Sequence, residues 1–129
     1  MFNGSIYQET YLENLKKVIL SIAAHGNAII LGRGASFILP QKERLSIRIV
    51  APLEFRIKNT IERKNLSEQQ SREYIEKLTQ QRRQFIKSSF HINIDDPVNY
   101  DITINSSSVH DKTIIELIKI LMNEKNAVE

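Results

Sequence analysis

The residues most able to do chemistry are arginines beside glycines or beside one another. In the stretch "AIILGRGASFIL", Ala28 to Leu39, an apolar run stops at Gly32-Arg33-Gly34 and then resumes. Glycine allows a positive φ and a close approach of backbone to ligand. Arginine is always charged and can grip a phosphate or a planar base through two parallel hydrogen bonds. Backbone N–H groups in a following helical turn could face the same anion. A tight turn with a solvent-facing arginine would look the same in sequence, because a three-residue motif is weakly specific.

A second cluster is Arg82 and Arg83, with Lys77 before and Lys87 after them. On a helix, adjacent residues diverge by about 100°, so one arginine could face a cleft and the other water. The plainer reading is a solvated helix surface. Arg56 and Arg63 stand seven residues apart, on roughly one helix face, with Arg56 near its start. Asp95-Asp96-Pro97 brings two carboxylates together. A metal would need oxygen ligands beyond these, so a turn is the simpler reading. His25, His91 and His110 lack ligand spacing, and no metal site is assigned. There are no cysteines, which removes disulfides, thiolate sites and cysteine nucleophiles.

The elements that must position these residues can be read from periodicity. Tyr11, Leu12, Leu15, Val18, Ile19 and Ile22 form one apolar face of a helix over roughly 6–24. Gly26 or Asn27 suits a left-handed stop. Ala28–Leu31 is continuously apolar, as in a strand buried on both faces of a parallel sheet. Leu45–Val50 predicts a second strand, and a helix follows Pro52. Ser67 and Gln70 form a capping box that opens a long, polar helix to about Lys87. After a loop punctuated by Pro97, Tyr100–Asn105 predicts a third strand. Ser106 to Ser108 are cap candidates for a last helix from about Asp111 to Asn123, with Ile114, Ile115, Leu117, Ile118 and Leu121 inward.

Alternating helices and strands imply an α/β fold with helices covering a parallel sheet. Ligands on such sheets sit beyond the carboxyl ends of the strands. That points to 32–36, 51–53 and 105–108. The chain has 129 residues, the length of one domain over 1–129. A net charge of +3 could favour an anionic ligand but is too small to argue for nucleic acid. No apolar run is long enough to cross a bilayer and no signal peptide opens the sequence, so a cytoplasmic location is expected.

Four stretches, in this order and at these distances, carry a resemblance: "NAIILGRGASFIL", "IRIVAPLEFRI", "LSEQQSREYIEKLTQQRRQFI" and "DPVNYDITINSS". Together they resemble the cytidylate-kinase-like proteins, relatives of the nucleoside monophosphate kinases, from about Ile19 to Leu121. The resemblance implies a P-loop NTPase fold, a three-layer α/β/α arrangement with a short parallel sheet. It implies phosphoryl transfer from ATP, with Mg²⁺, to a CMP-like nucleoside monophosphate. It places Gly32, Arg33 and Gly34 at the acceptor monophosphate, Arg82 and Arg83 on a lid-like helical segment over 66–97, and Arg56 near the donor nucleotide. Arg33 and Arg82 would then neutralise charge on the phosphate in flight.

Three departures qualify this. Cytidylate kinases proper often carry Gly-Arg-Asp where Gly32-Arg33-Gly34 stands, although the cytidylate-kinase-like group commonly shows Gly-Arg-Gly. The lid of the group usually has an aspartate three residues before its arginine, where this chain has Thr79. Above all, the family opens with a strand and a glycine-rich phosphate loop, whereas the four glycines here, Gly4, Gly26, Gly32 and Gly34, form no such pattern. ATP and Mg²⁺ are therefore implied by resemblance alone, and the module is expected to be weak or inactive by itself. Whether it is an enzyme stays open. The alternative is a non-catalytic nucleotide-binding or protein-assembly module. The resemblance puts the missing strand between Ala28–Leu31 and Ser46–Val50. The chain is accordingly expected to be the carboxyl-terminal part of a longer kinase-like protein, or to take a strand from a second copy or a separate chain. A three-stranded sheet closed over the gap is the competing outcome.

Overall fold

The structure, a computed structural model, describes residues 4–127. The chain divides into two compact units, Met1–Leu45 and Ser46–Glu129, and each is described by itself. The architecture is α/β, mostly helical, with a short parallel sheet of two strands among the described residues. No helix among these residues is long and apolar enough to cross a membrane.

The first unit is built on α1 (Gly4–His25) and the short α2 (Ala35–Ile38). Ile19 is buried, but Tyr11, Val18 and Ile22 of the same expected apolar face are exposed. The helix stops as its sequence predicts. Gly26 and Asn27 both have positive φ, 74° and 51°, and the Gly26 amide bonds back to the Ala23 carbonyl at 3.0 Å.

The run Ala28–Leu31 that follows is not a strand, which corrects the sequence reading. Ile29 is 93% exposed and Leu31 86%. The reason is physical. An apolar run becomes a strand only when a neighbour pairs its backbone, and here no described residue does so. The resemblance places a further strand beside this run, and no described residue supplies one. The sheet among the described residues has two strands and not three.

In the second unit β1 (Ile47–Val50) pairs in parallel with β2 (Ile102–Asn105), in register from Ile47 with Ile102 to Val50 with Asn105. The ladder is closed at its start by Ser46 and Asp101. The Ser46 amide donates to Asp101 Oδ2 at 2.7 Å, and the Asp101 amide donates to the Ser46 carbonyl at 2.8 Å. Lys125, near the end of α5 (Asp111–Ala127), reaches the same Oδ2 at 3.0 Å. Ile104 of β2 and Ile114 of α5 are buried. Ile115, expected inward, is exposed.

Two helices connect the strands. Pro52 precedes α3 (Leu53–Lys64), which ends at Asn65 with φ 54°. The capping box of α4 (Glu68–Phe90) forms as read. Ser67 Oγ accepts from the Gln70 amide, and the Gln70 side chain accepts from the Ser67 amide. Ile57 of α3 is buried, as is Ser71 of α4, and Arg72 joins α4 to Glu54 of α3 at 2.9 Å. The serine run does not cap α5. Ser107 and Ser108 fold back on Asn105, whose side chain accepts from the Ser107 hydroxyl at 2.6 Å, and the helix starts later, at Asp111.

The loop between α4 and β2 is held by one carboxylate. Asp95 Oδ1 pairs with Arg48 of β1 at 2.8 Å, and Asp95 Oδ2 pairs with Arg83 of α4 at 2.8 Å. Arg48 also donates to the Ile94 carbonyl and lies over the Tyr100 ring, 5.5 Å from its centroid. Asp96 accepts from the Val98 amide and starts a 3₁₀ turn, so the Asp95-Asp96-Pro97 loop does form the turn that its sequence suggests. The Arg48 hydrogen bond, aided by the Arg83 charge, holds the Asp95 carboxyl below its ordinary range.

Two predictions follow from this packing. Ser71 is fully buried and its hydroxyl has no partner. Removing an unsatisfied buried hydroxyl relieves a penalty of about 1–3 kcal/mol, so Ser71→Ala should raise the urea midpoint. A lowered midpoint would mean that the hydroxyl is bonded. For Asp95, a depressed folded pKa adds stability above the unfolded value of about 3.9 and loses it as the pH falls through the folded value. Wild type should therefore exceed Asp95→Asn in stability at pH 7, with the gap closing below about pH 4. A gap that persists at pH 2 would point to packing, not charge.

Candidate functional site

The Gly32-Arg33-Gly34 turn is the most distorted backbone in the first unit. All three residues are left-handed, with φ of 66°, 59° and 71°. Glycine adopts this region freely, whereas a residue with a Cβ loses about 1–2 kcal/mol there. A Cβ at Gly32 would meet no atom within 4 Å, so conformation and not space selects glycine at that position. Arg33 alone carries the strain. It is exposed, and its guanidinium makes no ion pair among the described residues. The amides of Gly32, Arg33 and Gly34 likewise donate to no described residue, while the Ala35 amide closes the turn onto the Gly32 carbonyl at 3.2 Å. Strained, polar and unsatisfied turns concentrate where ligands bind.

The second unit holds the other expected site residues. Arg82 is exposed on α4 and has no ion pair among the described residues. Arg83, its neighbour, is committed to Asp95. The adjacent arginines thus diverge, one tied to the protein and one turned elsewhere. Arg56 sits in the first turn of α3, beside the carboxyl end of β1, and its Nε donates to the Ala51 carbonyl at 3.0 Å. That bond caps the strand-to-helix turn and leaves the terminal guanidinium nitrogens available. The loops after β1 and β2 lie side by side, since Val50 and Asn105 are in register and the Ser106 amide bonds to the Val50 carbonyl at 2.9 Å.

Arg48 escaped the sequence reading, which took it as one more residue of a strand. A charge inside an apolar strand is costly unless paired. That cost is the signal that could have directed a search for its carboxylate, Asp95. Burial pushes the Tyr100 hydroxyl up from its ordinary pKa, in keeping with its role as a donor to the Ile94 carbonyl at 2.7 Å.

No glycine-rich phosphate loop exists in the sequence. Among the described residues no group of three histidine, aspartate or glutamate side chains could hold a metal ion. What the residues do offer is cationic and suited to an anion, with Arg33 in the first unit and Arg82 and Arg56 in the second.

No curated protein matches the chain. A family model, described as the cytidylate kinase-like family, matches residues 1–108 and so takes in the Gly-Arg-Gly turn, α3, α4, the Asp95 loop and β2. With the match extending over most of the sequence and over every candidate arginine, the chain belongs to the cytidylate kinase-like family.

Proposed function

We propose that this chain is a nucleoside monophosphate-binding module of kinase ancestry that recognises the phosphate of a CMP-like acceptor and does not transfer phosphoryl groups by itself. The observation that carries the reading is Arg33: an exposed, unpaired arginine held left-handed between two left-handed glycines. Such strain is retained where the side chain it presents has a use. Arg33 serves the acceptor phosphate, with the free amides of its turn as additional donors. In the second unit, Arg82 of α4 makes no ion pair among the described residues and is the residue that the family resemblance marks for an anion. Arg56 supports the turn after β1, and Arg83 acts on the protein instead of the ligand. Phosphoryl transfer needs donor phosphates and metal held in line with the acceptor, and the sequence has no glycine-rich phosphate loop to hold the donor phosphates. Within the family the reaction implies ATP and Mg²⁺; here no step is assigned to them.

The test separates ligand binding from stability. CMP should raise the melting temperature of the wild type. Arg33→Gly should lose that response, yet its unliganded stability should match the wild type or exceed it by up to about 1 kcal/mol, because glycine relieves the left-handed strain and gives part of this back as chain entropy. A retained CMP response in Arg33→Gly contradicts the assignment. Robust turnover of CMP with ATP and Mg²⁺ contradicts the non-catalytic part of the reading.

A second reading, assembly, is favoured by the unpaired Ala28–Leu31 run with its exposed Ile29 and Leu31. A strand from another chain or a second copy would satisfy that backbone and cover those side chains. Light scattering after size exclusion should then give a mass above the 14.9 kDa of one chain. A single-chain mass at every concentration, unchanged by Ile29→Ser, contradicts self-assembly.

A further inference from the structure

The middle of α4 is unusual for a helix in a folded unit. Gln80, Gln81, Arg82, Arg83 and Gln84 are all exposed, more than a full turn with no side chain packed inward. A helix that is polar all round has no apolar stripe to fix its rotation or its path. The first half of α4 is secured to α3 through buried Ser71 and the Arg72–Glu54 pair, and Ile86 is buried further on. Between them, the tie from the exposed turn to the rest of the unit is Arg83 Nη2 on Asp95 Oδ2 at 2.8 Å.

That tie ends on a firm anchor. Arg48, rooted in β1, holds the other Asp95 oxygen at 2.8 Å and donates to the Ile94 carbonyl at 2.6 Å. Tyr100 donates to the same carbonyl and lies beneath the Arg48 guanidinium. The Asp95 amide is held by the Asn93 side chain at 3.0 Å. The carboxylate is thus fixed on the strand side and extends its remaining oxygen to the helix. Residues 82 and 83 leave the helix about 100° apart, so a fixed Arg83 also fixes the direction in which Arg82 departs.

We propose that Asp95 is the positioning residue for Arg82: anchored to β1 by Arg48, it holds Arg83 and so sets the rotation of the exposed α4 turn that presents Arg82 to an anionic ligand. This rests on the nucleotide-binding reading for its functional consequence, though the tether itself does not. It also reassigns Arg83, which is a tether and not a ligand contact. The two roles make opposite predictions for Asp95→Asn. That substitution releases Arg83. A ligand-binding Arg83 would then serve CMP as well as before or better, whereas a tethering Arg83 would leave Arg82 undirected and weaken CMP binding.

The experiment compares wild type, Asp95→Asn, Asp95→Glu, Arg83→Gln and the Asp95→Asn/Arg83→Gln double variant in two readouts. In hydrogen exchange without ligand, amides of 80–84 should exchange several-fold faster in each single variant at Asp95→Asn and Arg83→Gln. The double variant should be no faster, while α3 and β1 amides keep their protection. In CMP titration, Asp95→Asn should bind several-fold more weakly, and Asp95→Glu should recover much of the loss. Unchanged exchange over 80–84 in both single variants overturns the tether, and undiminished CMP affinity in Asp95→Asn overturns the positioning role. Should Asp95→Asn fail to fold, Arg83→Gln, altered only at the helix surface, carries the exchange measurement. A wild type that ignores CMP ends the nucleotide reading and with it the positioning role, while the exchange data still decide the tether.

Discussion

Ser46 and Asp101 exchange backbone and side-chain hydrogen bonds at the point where β1 and β2 begin to run together, and Lys125 of the last helix meets the same carboxylate. Fifty-five residues of chain separate the two partners. Holding them together aligns the ladder from Ile47–Ile102 to Val50–Asn105. It also brings the loops after both strands side by side and secures the far end of α5. Parallel strands need a long crossover, and α3 and α4 are what this crossover contains. Where the chain must leave the sheet and return, a second carboxylate, Asp95, ties strand, loop and helix with its two oxygens. In this unit a short sheet and a modest core are thus supplemented by two aspartates that each join elements distant in sequence.

The first unit shows what happens without such a partner. Ala28–Leu31 has the composition of a buried strand, but its backbone joins no ladder among the described residues and Ile29 and Leu31 are exposed. Directly after it the chain folds into three left-handed residues. Two of these are glycines, for which the conformation costs little, and the third is the arginine that the reading of function depends on. Arg33, Arg63 and Arg82 make no hydrogen bond or ion pair among the described residues, and Arg33 and Arg82 are the two of these that the family resemblance marks. Arg48, Arg72 and Arg83 are engaged in holding the fold. Division of like residues between structural and available roles is visible only once their partners are known.

Features set by a few neighbouring residues were legible in the sequence. The capping box at Ser67, the helix after Pro52 and the stop at Gly26-Asn27 all depend on local hydrogen bonds and on φ, which residue type controls directly. The family was legible as well, because it rests on four ordered stretches. What could not be read depends on distant partners. An apolar run does not disclose whether a neighbouring strand exists, so Ala28–Leu31 was misassigned. Serines after a strand can cap a helix or close a turn, and Asn105, able to accept from both backbone and hydroxyl, drew them into the turn. Nothing local marks Asp95 as the partner of Arg48, 47 residues away. For the same reason Arg82 and Arg83 could be set apart only in principle, and the carboxylate decided which one is tied.

The central claim, that the Gly32-Arg33-Gly34 turn serves the phosphate of an anionic nucleotide, is tested most directly by nuclear magnetic resonance. Amide shifts of the whole chain would be followed as CMP is added, with cytidine as the phosphate-free control. The account predicts saturable shifts over 32–36, weak or missing with cytidine. Shifts confined to other regions, or equal responses to CMP and cytidine, would contradict it.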